Sequence, residues 1–162
     1  MSAVSTQVRL TSYPVGMPEE ADFEVVTEEL AALADGEVRL RTIYLSLDPY
    51  MRGRMSTAPS YAAPLALGDV VLGQTVSEVV ESRSTRRQVG DIVLAYTGWQ
   101  TQAVVNARQT RLVDAGQAPV STALGVLGMP GFTGYAGLLE IGRPKPGETV
   151  VVAAAAGPVG SV

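Results

Sequence analysis

ETVVVAAAAGPVGSV occupies residues 148–162. Three consecutive valines, Val150, Val151 and Val152, run into four alanines and a glycine-punctuated bend. That pattern predicts a strand buried on both faces, ending where backbone must approach a ligand closely. Ala155, Gly157 and Gly160 hold the three positions of a G-x-G-x-x-G fingerprint, with alanine in place of the first glycine. The middle glycine lets backbone reach a pyrophosphate, and the last lets a following helix pack on the strand. That helix is not reached before Val162. The groups that would hold the phosphates and read the ribose about 20 positions later are therefore expected in further sequence, and the chain reads as the front part of a longer enzyme.

Working back from this bend, Lys145-Pro146-Gly147 reads as a turn, and residues 132–141 as a helix with Phe132, Tyr135, Ala136 and Leu139 on one stripe. Gly142 stands at its expected C-cap, and Pro144 prevents continuation. A shorter helix is expected from Ser121 or Thr122 to Leu127, stopped by Pro130. Before Pro119 the pattern is almost all β. Short strands are predicted over residues 7–12, 23–27, 37–45, 69–81, 90–96 and 99–105, with Val38 and Leu40 facing inward and Arg39 and Arg41 outward. Gly73 marks a bulge or a close approach within the fourth of these. Strands this short, separated by turn residues, predict a small barrel or sandwich. The change from strands to helices puts a domain boundary near residues 115–125.

Between two of the strands lies LSLDPYMRGRM, residues 45–55. Asp48 before Pro49 has the form of an N-cap followed by proline at the first helical position, and Gly53 limits the helix to about one turn. A short helix at a strand end presents side chains to a cleft. Tyr50, Met51 and Arg52 are thus candidates to line a site, with a core role for Tyr50 the competing reading. Residues 56–67, with Tyr61 between Pro59 and Pro64, read as a loop able to cover that cleft.

Composition narrows the chemistry. The 162 residues carry a net charge of -4, which argues against a nucleic-acid or acidic-membrane surface, and the basic run at residues 83–87 reads as a solvated turn. No apolar run approaches the ~20 residues of a membrane span, and the start lacks the form of a signal peptide, so the expected compartment is the cytoplasm. With no cysteine and no histidine, a thiolate or imidazole zinc site cannot be built from this sequence, nor can a nucleophile–base pair. An enzyme made from this chain must rely on an organic cofactor positioned by protein groups. No catalytic residue is assigned from the sequence.

Two strings, LSLDPYMRGRM and GVLGMPGFTGYAGLLEIGRPKPGETVVVAAAAGPVGSV (residues 125–162), resemble the zinc-independent, NADP-dependent branch of the medium-chain dehydrogenase/reductase superfamily. Within it the resemblance is to prostaglandin reductases and alkenal double-bond reductases, and it extends over nearly the whole chain. It implies a mainly β fold. Residues 1–120 would form an incomplete GroES-like β-barrel (substrate) domain, and residues 121–162 the first helices and first strand of a truncated α/β Rossmann domain, with NADPH in the cleft between. It implies hydride transfer to the β-carbon of an α,β-unsaturated aldehyde or ketone, and an isolated 162-residue chain without activity.

By the same resemblance Ala156, Gly157, Pro158, Val159 and Gly160 correspond to the pyrophosphate turn. Met129 and Thr133 stand beside the nicotinamide. Pro49, Tyr50 and Arg52 form the barrel-side wall, where Pro49 faces cofactor and Tyr50, Arg52 and Tyr61 face substrate. A homodimer is implied for the full-length enzyme. Two departures are noted: Pro158 stands where relatives carry alanine, and Gly134 replaces a helical alanine at a cost of roughly 1 kcal/mol. The alternatives are a quinone reductase of the same superfamily and a stand-alone GroES-like binding module.

Overall fold

The computed structural model describes residues 3–162, and the chain divides into two units, one ending at Val113 and the other running from Asp114 to Val162. In the first, β1 (Val4–Leu10) pairs antiparallel with β2 (Phe23–Glu29). The remaining strands are β3 (Glu37–Leu45), β4 (Thr75–Ser82), β5 (Ile92–Ala95), β6 (Gln102–Asn106) and β7 (Arg111–Leu112). They form one antiparallel sheet in the order β6-β3-β4-β5-β7. The free side of β1 is bonded in turn to the segments that lead into β6 and β4: Val8 N donates to Trp99 O at 2.9 Å, and Val71 N to Val8 O at 2.9 Å. The two sheets are thereby joined along β1, which leaves fewer unpaired edge groups than two separate ribbons would.

β3 has the bounds its alternation predicts. Val38 and Leu40 are fully buried, and with Val79, Val93, Ala95 and Ala107 they form the core of this end of the sheet. Their outward neighbours Arg39 and Arg41 pair across the ladder with Glu81 and Glu78. Register shifts between Arg39 and Leu40 and between Thr42 and Tyr44 interrupt the alternation, and Ile43 and Tyr44 are both exposed. The segment before β4 is not strand: regular pairing starts only at Thr75, and Gly73 is instead a close approach. A Cβ there would lie 2.8 Å from Leu45 Cδ1 and 3.1 Å from Met51 Cε. The basic run at residues 83–87 is a turn, but a tethered one: Arg83 pairs with Asp35, and Arg87 donates to the Thr110 carbonyl at 2.7 Å.

In the second unit a 3-10 turn, Val120–Leu124, precedes α2 (Met129–Tyr135), which continues as a π-helical segment, Ala136–Gly142. Three expectations are corrected here. Pro130 does not stop a helix; it sits in the first turn of α2, where its missing N–H costs no hydrogen bond. The left-handed residue closing the helix is Arg143 (φ 48°), one place beyond Gly142. Finally, Val150, Val151 and Val152 form no strand, and Val151 is 86% exposed. A buried parallel strand exists only as part of a ladder, and among the described residues nothing pairs with this one. Among the described residues no helix is long and apolar enough to cross a membrane.

Candidate functional site

In the first unit the site is built on α1 (Tyr50–Arg54), which follows β3 after a four-residue link. Asp48 is not a side-chain cap: Pro49 already has helical backbone angles, and no side chain bonds the free amides at this end of the helix. Asp48 Oδ2 is instead buried with no hydrogen-bond partner, and so are Tyr50 Oη, Arg54 Nε and Trp99 Nε1. Native proteins pair nearly all such atoms, so a group of them around one short helix marks a place fitted to something else. The ring of Tyr50 packs on the cluster formed by Leu10, Met51, Met55, Leu65 and Val71. Its body is thus a core aromatic, but its hydroxyl is unsatisfied.

Burial pushes the Tyr50 phenol above its ordinary value of 10.0, and the Asp48 carboxylate, Tyr96 and Tyr61 add in the same direction, against the smaller opposing pull of Arg54. The phenol is therefore held protonated, as a hydrogen-bond donor. Tyr61, in the loop after α1, is 86% exposed yet near enough to act on that hydroxyl. Tyr96, directly after β5, was not anticipated. The signal for it was a polar-tipped aromatic at the end of the apolar run Ile92–Ala95, where a strand side chain meets the sheet's end.

Arg52 is placed differently from its neighbour. Its Nη2 donates to Pro14 O and Gly16 O, both at 2.9 Å, its Nε to Gly16 O at 3.2 Å and its Nη1 to Met55 O at 3.4 Å. The guanidinium is occupied by main-chain carbonyls.

In the second unit Met129 opens α2, and the Thr133 hydroxyl donates to Met129 O at 2.7 Å, leaving its lone pairs free to accept. The bend at Ala156, Gly157, Pro158, Val159 and Gly160 has no helix or strand, with Ala156, Pro158 and Val159 exposed. Gly157 N donates to Ala154 O at 2.9 Å. A Cβ on Gly160 would lie 2.2 Å from that same carbonyl, so only glycine is accommodated there. Between this bend and the helix runs an apolar groove of about 480 Å³ lined by Gly134, Leu138, Val150, Val152 and Val159. A bare-backbone bend beside an apolar groove is a combination suited to a dinucleotide.

Residues 6–113 match the family described as the N-terminal domain of oxidoreductase. The chain is 54% identical over 153 residues to the NADPH-dependent curcumin reductase of Escherichia coli (strain K12), covering 94% of this chain and 44% of that protein. It is 46% identical over 156 residues to prostaglandin reductase 1 of Bos taurus, covering 94% and 45% respectively. Among solved structures, CurA from Vibrio vulnificus in complex with NADPH superposes with a TM-score of 0.90 at 50% identity, covering 96% of this chain and 46% of that one. The chain thus spans a little under half the length of these relatives. With its mainly antiparallel β unit, its fingerprint bend and this match, the chain belongs to the N-terminal oxidoreductase domain family, in the zinc-independent medium-chain dehydrogenase/reductase branch that includes the prostaglandin and alkenal reductases.

Proposed function

We propose that the protein carrying this chain is an NADPH-dependent reductase of the carbon–carbon double bond in α,β-unsaturated aldehydes and ketones, working as a cytoplasmic homodimer. The observation that carries this reading is the buried, unpartnered Tyr50 hydroxyl, kept neutral beside Asp48. Reduction of an enone at its β-carbon builds negative charge on the carbonyl oxygen, and a preorganised neutral donor aimed at that oxygen stabilises the developing enolate. NADPH, when bound, supplies the hydride.

The chain's own residues divide the remaining work. Residues 1–120 supply the substrate side and residues 121–162 the cofactor side. Tyr50 is the donor to the substrate carbonyl, and the exposed Tyr61 shields the substrate from water. Pro49, as N-cap, keeps the start of α1 free of a side-chain cap and open to cofactor. Gly157 and Gly160 present backbone without Cβ to the pyrophosphate, with Ala156, Pro158 and Val159 shaping the bend. Met129 and Thr133 stand by the nicotinamide, where the free lone pairs of the Thr133 hydroxyl suit a carboxamide N–H.

The test is consumption of NADPH by the full-length protein with conjugated enals and enones, with quinones run in parallel. Turnover of the unsaturated carbonyls, lowered on the order of 10²-fold by Tyr50→Phe, is the expected result. Turnover of quinones alone would replace the substrate class, and no turnover of either would overturn the reading. Residues 1–162 alone are expected to be inactive and to bind NADPH too weakly for calorimetry to detect at micromolar concentration.

A further inference from the structure

The four hydrogen bonds of Arg52 belong to a closed circuit. Its guanidinium fixes the Pro14 and Gly16 carbonyls in the turn between β1 and β2. From Arg52 the circuit follows α1 to the Arg54 carbonyl, which accepts from Leu65 N at 2.8 Å. The Leu65 carbonyl in turn accepts from Tyr13 Oη at 2.8 Å, and Tyr13 is bonded covalently to Pro14. Leu65 is itself anchored in the cluster that holds Met51 and Met55. The loop that carries Tyr61 is therefore held at both ends, at Met55 and at Leu65. Between them Ser56 Oγ accepts from Ala58 N, and the stretch around Tyr61 stands in solvent.

We propose that Arg52 and Tyr13 are positioning residues. Acting through the Pro14, Gly16 and Leu65 carbonyls, they fix together the pitch of α1, which carries Tyr50, and the span of the loop that carries Tyr61. This assignment rests on the reading that Tyr50 and Tyr61 wall a substrate site, and it assigns Arg52 a part in that wall without contact to substrate. Arginine suits the role because its planar fork holds several carbonyls in one fixed geometry, whereas lysine offers a point charge on a flexible stem. A circuit that sets the aperture between two tyrosines governs how well the substrate body is gripped, and so acts on KM. The chemical step, which depends on the Tyr50 hydroxyl, is left largely intact once substrate is in place.

The experiment uses the full-length protein and the variants Tyr13→Phe, Arg52→Lys and the pair, with two readouts. The first is hydrogen exchange at the Leu65 amide, which Arg52 does not touch. Arg52→Lys is expected to speed it about tenfold, the effect of losing one charge-assisted bond in the circuit. The second is steady-state kinetics with an enal. Each single variant is expected to raise KM about tenfold or less with kcat within about twofold, and the double variant to fall short of the product of the two, because both cut one circuit. An unchanged Leu65 amide in Arg52→Lys, or KM effects that multiply independently, overturns the proposal. If the parent protein turns over no unsaturated carbonyl, the functional reading fails by itself, and the Leu65 amide still decides whether the circuit exists.

Discussion

The Tyr50 hydroxyl is a liability to the fold and the source of the proposed chemistry. A buried hydroxyl without a partner costs about 1–3 kcal/mol relative to one that is satisfied, so removing it relieves the fold. Tyr50→Phe is accordingly expected to leave stability toward urea unchanged or raised by up to about 1 kcal/mol while activity falls, a pairing that a purely structural tyrosine would not show. The pH dependence follows from the raised pKa. Between the ordinary value near 10 and the higher folded value, the unfolded chain loses this proton and the folded chain keeps it, so stability declines as pH rises past about 10. In an ultraviolet titration the parent should show a tyrosine step above the ordinary value of 10.0, and the Tyr50→Phe variant should lack it.

Asp22 shows the opposite sign. Donation from Glu19 N at 2.9 Å, then from Ser12 Oγ at 2.6 Å, holds its carboxyl below the ordinary 3.8. Its contribution is present above about pH 4 and is lost as pH falls through the lowered value. The stability difference between the parent and Asp22→Asn should thus vanish in strong acid, as denaturation across that range would reveal. At this scale the sequence was misleading for Asp48. Asp-Pro before a helix has the form of a cap, and Pro49 does take helical backbone angles, but no side-chain cap bond forms and Asp48 Oδ2 is left without a partner.

For whole elements, legibility followed how local the deciding interactions are. β3 could be read to the residue because its inward valine and leucine and outward arginines alternate along one strand. Val150–Val152 carries equally strong β propensity but forms no strand, because propensity supplies no hydrogen-bond partners. The location of α1 was legible from Pro49 and Gly53, whereas the orphaned atoms around Tyr50 come from segments as distant as Trp99 and could not be read from spacing. Gly73 links these two scales. In Gly73→Ala the new methyl must displace Leu45 and Met51, the latter in α1, at about 1–3 kcal/mol. A shift of the α1 amide resonances with retained sheet signals would be the expected spectrum. In the other unit, Gly160→Ala meets a carbonyl rather than a flexible side chain, so the bend itself must open. The expected result is weakened NADPH binding by the full-length protein.

For the molecule as a whole, the two units differ in how well they cover their apolar groups. The first has two clusters of buried side chains and two sheets joined through β1. The second leaves Phe132 at 71% exposure, and Tyr135, Leu139, Ile141 and the three valines are exposed as well. Scattered apolar residues are normal on a surface, but here Tyr135, Leu138 and the three valines line one groove. Residues 1–162 are expected to bind a hydrophobic dye such as ANS strongly, and a version ending at Val113 to bind little. Equal fluorescence from the two would contradict the picture.

The uncovered side of the second unit also bears on biosynthesis. A ribosome delivers its product amino end first, at about 5–20 residues per second, so the strands up to Val113 can settle while later codons are still being decoded. What leaves the exit tunnel next carries exposed Phe132, Tyr135, Ile141 and the three valines. A holdase patrolling nascent chains would find its grip there, in the segment past Val113.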